Sequence, residues 1–237
     1  MKIKLIIAAL AFMLLFISSA FAMDAFTEAV EKAYIPYRSS LFATNTKAKM
    51  ESQRTVQKAQ EAWVSIVNQF SSQAPVPYDR DSGFSVTLSE VGKVYAKAAD
   101  EINDDKLAEA HETLEKVRDL LADLRKRNNI IVYSDHMNEY HAAMEELDIK
   151  GKQTLAGEQG IQKLIAQTGV LEYLYLKLVF EAPAQYKKSE EFLGLIKNVE
   201  KSVNNLKAAL FTQDSKAVIE AMGKLKAPYS KLFLKFG

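Results

Sequence analysis

The residues best equipped for chemistry lie between Tyr133 and Leu147, in the stretch YSDHMNEYHAAMEEL. Two of the three histidines in the chain, His136 and His141, stand here among Met137, Met144 and the carboxylates Glu139, Glu145 and Glu146. At about 100° per residue on a helix, Tyr133, Met137, Tyr140, Met144 and Leu147 fall on one face. His136 and His141 flank that face about 140° apart, so they cannot share an ion as the i,i+4 pair of H-E-x-x-H does. Two donor sets remain. Met137, His141 and Met144 form a soft-to-borderline ladder suited to Cu(I), with Glu145 one turn on. His136 and Glu139 form a borderline-to-hard pair suited to zinc or iron.

Either set needs ligands from a neighbouring helix, and His111 with Glu112 are the expected suppliers, Met222 being another. The expected metal ligands are therefore His111, His136, Met137, Glu139, His141 and Met144, with copper or iron as the ion. The opposing expectation is that both flanking histidines only hydrogen-bond at the edge of the stripe, beside a solvated acidic face. Non-covalent haem, held by His111 or His141 with Met50 or Met222, is a further alternative. In size of unit and compartment the chain resembles the cytochrome b562 and cytochrome c′ class of bundles. That likeness is architectural, because C-x-x-C-H is missing.

Other chemistry finds no foothold. The chain has no cysteine, which excludes thiolate nucleophiles, thiolate metal sites and disulfides. No G-x-S-x-G elbow, S-x-x-K or phosphate-binding glycine loop occurs beyond residue 22. The di-iron signature is absent as well, since no histidine has a glutamate three residues before it. The expectation is a binding protein, not an enzyme.

Helices must position these residues. Val56, Ala59, Trp63, Val67 and Phe70 lie at helical spacing, in a helix expected to run to about Ser71 after Pro36 kinks or ends an earlier one. Phe84, Leu88, Val91, Tyr95, Ala98 and Ile102 mark the next, and Leu107, Ala110, Leu114, Val117, Leu121 and Leu124 the third. Asp104 or Asp105 is the expected N-cap between them. Ser134 or Asp135 should open the histidine-bearing helix, and Gly151 should end it.

The second half repeats this pattern. An offset of 108 carries the Phe84 series onto Phe192, Ile196, Val199, Val203, Leu206 and Leu210, and Ala74-Pro75 and Tyr78 onto Ala182-Pro183 and Tyr186. An offset of 111 carries Ala110, Leu114 and Leu121 onto Ala221, Leu225 and Leu232, and His111 onto Met222. The fold expected is all-α: an antiparallel helical bundle of two duplicated helix-loop-helix-turn-helix units, residues 23–130 and 131–237, in one domain. At the offset of 108, residues 133–147 fall on residues 25–39, where no histidine and no matching apolar stripe are found.

Residues 1–22 read as a secretory signal: Lys2 and Lys4, an apolar run from Leu5 to Ile17, and a small-x-small ending after which cleavage would follow Ala22. This predicts a periplasmic protein with no transmembrane segment in the mature chain. With 31 basic against 30 acidic residues, the charge balance argues against nucleic acid. A periplasmic protein partner is the competing expectation, with a ligand-free interaction module docking through an exposed face or the Lys-rich C-terminal helix. The alternative for that last helix, with Tyr229, Leu232, Phe233 and Phe236 on one face, is that it closes the bundle.

Overall fold

A computed structural model describes residues 23–237; the expected signal sequence lies outside them. The first half folds into α1 (Ala25–Asn45), α2 (Lys49–Phe70), α3 (Phe84–Asn103) and α4 (Leu107–Arg127). The second half gives α5 (Tyr133–Ala156), α6 (Gly160–Phe180), a one-turn α7 (Ala184–Lys187), α8 (Glu190–Thr212), α9 (Ser215–Gly223) and α10 (Lys226–Phe236). No strand occurs among the described residues. None of these helices is long and apolar enough to cross a membrane.

The stripes bury as their spacing dictates. Phe84, Leu88, Val91, Tyr95, Ala98 and Ile102 of α3 join Val56, Ala59 and Trp63 of α2 in one apolar core, which reaches as far as Leu124 of α4. A second core gathers Tyr133, Met137, Tyr140, Met144 and Leu147 of α5 with the Phe192-to-Leu210 stripe of α8 and Tyr229 and Leu232 of α10. Each large apolar side chain removed from water contributes about 1.5–3 kcal/mol. Phe233 of α10 packs against both cores. The last helix therefore closes the bundle, and it breaks from α9 at Lys224 and Leu225.

Local details differ from the sequence reading. The expected long helix up to Ser71 is two helices, because Lys47 takes a left-handed φ of 58° between α1 and α2. Pro36 lies inside α1 and does not end it. Its ring displaces a hydrogen bond to Lys32, whose exposed position leaves that carbonyl to solvent. Gly151 does not stop α5, which continues to Ala156. A Cβ at Gly151 would lie 2.4 Å from the Met222 sulfur, so glycine here permits the close approach of α9. Neither Asp104 nor Asp105 caps α4; Asp105 instead adopts a φ of 66° in the turn.

The stripe missing from residues 25–39 at an offset of 108 is present one residue away. Phe26, Val30, Ala33 and Tyr37 are buried on α1, in the places of Tyr133, Met137, Tyr140 and Met144. Phe26 meets Tyr78 and Phe84 with ring centroids 4.9 Å apart in both cases. Tyr133 meets Tyr186 and Phe192 at 5.6 and 6.4 Å.

The two halves are joined by charge at the α4–α5 turn. Asp135 accepts from the Arg125 guanidinium through both carboxylate oxygens, with Nε at 3.0 and 2.9 Å. The same carboxylate accepts the Val132 N–H at 3.0 Å, which fixes the start of α5. The Arg125 side chain is 5% exposed and that of Asp135 19%. Asp135→Ala should lower the unfolding free energy by about 3 kcal/mol, because it strands a buried guanidinium. Arg125→Met combined with Asp135→Leu should recover at least half of that loss. Urea unfolding followed by circular dichroism measures both, and a cost below about 0.5 kcal/mol for Asp135→Ala would show that the pair does not hold the halves together.

Candidate metal centre

His111 projects from α4 and His141 from α5, and both approach the same oxygen. The His111 Nε2 lies 3.9 Å from Oε1 of Glu115, and the His141 Nε2 lies 3.5 Å from it. On its other side the His141 Nε2 is 3.6 Å from Oε2 of Glu145. Donor atoms of Glu115, His141 and Glu145 all fall within 4.8 Å of one another. Each histidine stands four residues before its glutamate, so helical geometry puts each pair on one face. α4 and α5 do not pack side by side: α1 packs on α4 and α10 on both α1 and α5, and the His141 and Glu115 side chains reach each other across that seam.

The spacing is informative. The His141 Nε2 is buried and has no hydrogen-bond partner, since 3.5–3.6 Å is too long for an N–H···O bond, normally about 2.9 Å. Tetrahedral ligands bound at about 2.1 Å stand roughly 3.4 Å apart. The two imidazole–carboxylate separations match the edges of a coordination polyhedron better than they match hydrogen bonds.

Protonation suits that arrangement. Burial pushes the Glu115 carboxyl up, but His141, Arg118 and His111 outweigh it and hold the pKa at about 2. Burial draws His111 below the ordinary imidazole value, against the pull of Glu115. The His111 Nδ1 is 3.1 Å from the Leu41 carbonyl. An N–H donated there leaves the Nε2 lone pair facing Glu115, the tautomer a metal ligand requires. Arg118, at 3.6 Å from Oε1 of Glu115, is shared with Asp119 at 3.5 Å.

Tyr229 of α10 closes the cluster. Its ring stacks on Tyr140 at 5.3 Å and lies 5.4 Å from the His141 ring, while its hydroxyl donates to the Met137 carbonyl at 3.0 Å. A cavity of about 50 Å³ between His111, His141, Tyr229 and Phe233 opens beside the donors.

The expected ligands therefore divide. His111 and His141 come together around one carboxylate. Met137 and Met144 are 0% and 1% exposed in the second apolar core, so the Met-His-Met ladder is a packing stripe with its histidine on the flank. His136 and Glu139 lie 3.9 Å apart on the other flank, and Lys177 holds Glu139 at 2.7 Å. Glu112 is exposed. For haem, Met50 is 85% exposed on α2 and Met222 packs against Gly151, so neither sulfur faces a porphyrin-sized space. The sequence reading missed Glu115. Its signal was the recurrence of H-x-x-x-E, as His111-to-Glu115 and His141-to-Glu145, in two consecutive helices.

Compared with protein families, with curated proteins and with solved structures, the chain matches none. The functional reading therefore stands on this geometry.

The depressed Glu115 pKa carries a pH dependence. Its folded value of about 2 lies below the ordinary 4.5. The stability it contributes is present above pH 4.5 and is lost as pH falls towards about 2. Metal-free Glu115→Gln should unfold more readily than the parent near neutral pH, and the gap should narrow below pH 4.5 in acid-titrated thermal melts. A gap that stays constant through that range would show that the carboxylate is not held ionised by its neighbours.

Proposed function

We propose that this chain is an exported, periplasmic helical-bundle protein that binds one divalent transition-metal ion through Glu115, His141 and Glu145, with His111 beside them, and is not an enzyme. The observation that carries the reading is the His141 Nε2, buried without a hydrogen-bond partner between carboxylates from two helices at 3.5 and 3.6 Å. Two carboxylates and an imidazole favour iron(II) or zinc(II). Copper(I) loses its case with the two methionines, whose sulfurs belong to the core. Export rests on the signal pattern over residues 1–22.

We also infer that the bundle consists of two copies of one antiparallel unit. The paired stripes of α3 and α8 and the aromatic clusters around Phe26 and Tyr133 support it. So does the left-handed turn residue after each of those helices, Asp105 and Gln213, which are 108 positions apart. On this reading the metal site arose where the copies diverged, since His111 has Met222 as its counterpart, and His141 has Tyr34 at the offset of 107.

A ligand-free interaction module is the second reading. Its observation is an exposed apolar strip on α6, where Ile165, Tyr173, Leu176 and Phe180 are 37%, 64%, 43% and 70% exposed. Calorimetric titration of chelator-treated protein, recovered from the periplasmic fraction, separates the readings. The metal reading expects one zinc or iron(II) ion per chain, with affinity falling at least tenfold in His141→Ala, Glu115→Ala and Glu145→Ala. Met137→Leu, Met144→Leu and Glu139→Gln should bind within about twofold of the parent. Binding no tighter than in the three alanine variants would leave only the interaction module, and dependence on either methionine would restore the copper site.

A further inference from the structure

A larger cavity lies elsewhere. A cleft of about 310 Å³ lies between α1, the α4–α5 turn and the end of α10. That volume falls at the lower end of the range of small-molecule sites, about 300–1,000 Å³. Its walls are largely apolar and aromatic, with Phe26, Val30, Tyr78, Tyr133, Tyr186 and Phe236 among them. Arg38 of α1 also lines it and is only 7% exposed.

Arg38 is anomalous. Among the described residues it takes part in no ion pair, and its Nε is buried without a hydrogen-bond partner. Buried charges are otherwise paired, because an uncompensated ion loses several kcal/mol of hydration. The other cations around the cleft are engaged: Arg125 with Asp135, Lys32 with Glu28, and Lys235 with Glu191. Glu31 at the rim and the carboxylate of Gly237 also line the cleft, and neither comes within 4 Å of Arg38; burial pushes the Glu31 pKa up against the pull of Arg125 and Arg38. Tyr34 lines the same cleft, but its buried hydroxyl is turned towards Asn138 and Arg125.

We propose that this cleft binds an amphipathic monocarboxylate, whose carboxylate pairs with Arg38 while its apolar body packs against Phe26, Tyr186 and Phe236. A guanidinium presents a planar fork that matches a carboxylate. A small inorganic anion would satisfy the charge and leave the apolar walls in water. Arg38 also borders the small cavity beside His111 and His141, but none of the proposed metal ligands lines this cleft, and unchanged zinc binding in Arg38→Met keeps the two proposals distinguishable.

Decanoate is the probe, with decanol and chloride as controls, in calorimetry on the full mature chain. Decanoate should bind saturably at one per chain, and decanol at least tenfold more weakly. Arg38→Met should bind decanoate at least tenfold more weakly than the parent while its ligand-free melting temperature is unchanged or higher, because a buried unpaired charge has been removed. A purely structural arginine would give the opposite change in melting temperature. Ser134→Phe, which narrows the cleft without touching Arg38, should also lose decanoate. Equal affinity for decanol, equal competition by chloride, unaltered binding in Arg38→Met, or a destabilised Arg38→Met paired with retained binding in Ser134→Phe would each overturn the proposal.

Discussion

Two apolar cores meet in this protein across a layer of buried charge, and the structure depends on how that charge is compensated. Arg125 and Asp135 do it completely: a bidentate pair, further satisfied by the Val132 N–H, ties the end of α4 to the start of α5. Beyond that joint, α1 packs on α4 and α10 packs on both α1 and α5. Glu115 and His141 reach each other across this seam.

Further along the same seam the compensation is incomplete. Glu115 sits among Arg118, His111 and His141, yet the nearest imidazole nitrogens stop short of hydrogen-bond distance. Arg38 sits under α10 with no anion. Buried polar groups that lack partners cost stability, and of those in this chain Arg38 and His141 stand beside cavities. The polarity of the two clusters differs, the carboxylates and imidazole suiting a cation and Arg38 an anion. This is the physical basis for assigning them different ligands.

Much of the architecture was legible in the residues. The 3.6-residue stripes of α3, α4, α5 and α8 named the buried side chains almost one for one, because burial against a core is what such periodicity records. Turn geometry was less legible. Lys47, Asp105, Asn129, Gln159 and Gln213 all take left-handed φ without being glycine; the Asn and Asp runs marked the breaks at Asp105 and Asn129, whereas nothing in residue type marked the one at Lys47. Gly151 misled in the other direction, its role being the close approach of Met222 rather than a helix end. Within the site, the separation of His136 from His141 followed from helical angles alone. The choice of partner did not. Which carboxylate of α4 faces His141 depends on how two helices are rotated against each other, and that is set by tertiary packing around Tyr229 and the Arg125–Asp135 joint. The same holds for Arg38, whose missing partner is a property of the assembled seam and not of its neighbours in sequence.

The central claim is that the unsatisfied imidazole of His141 and the carboxylates flanking it are ligands. X-ray absorption spectroscopy of the zinc-loaded protein tests it most directly. The account predicts a first shell of nitrogen and oxygen donors only, at about 2.0–2.2 Å, with an imidazole contribution that is lost in His141→Ala. A sulfur donor at about 2.3 Å, or an imidazole signal that survives His141→Ala, would contradict it.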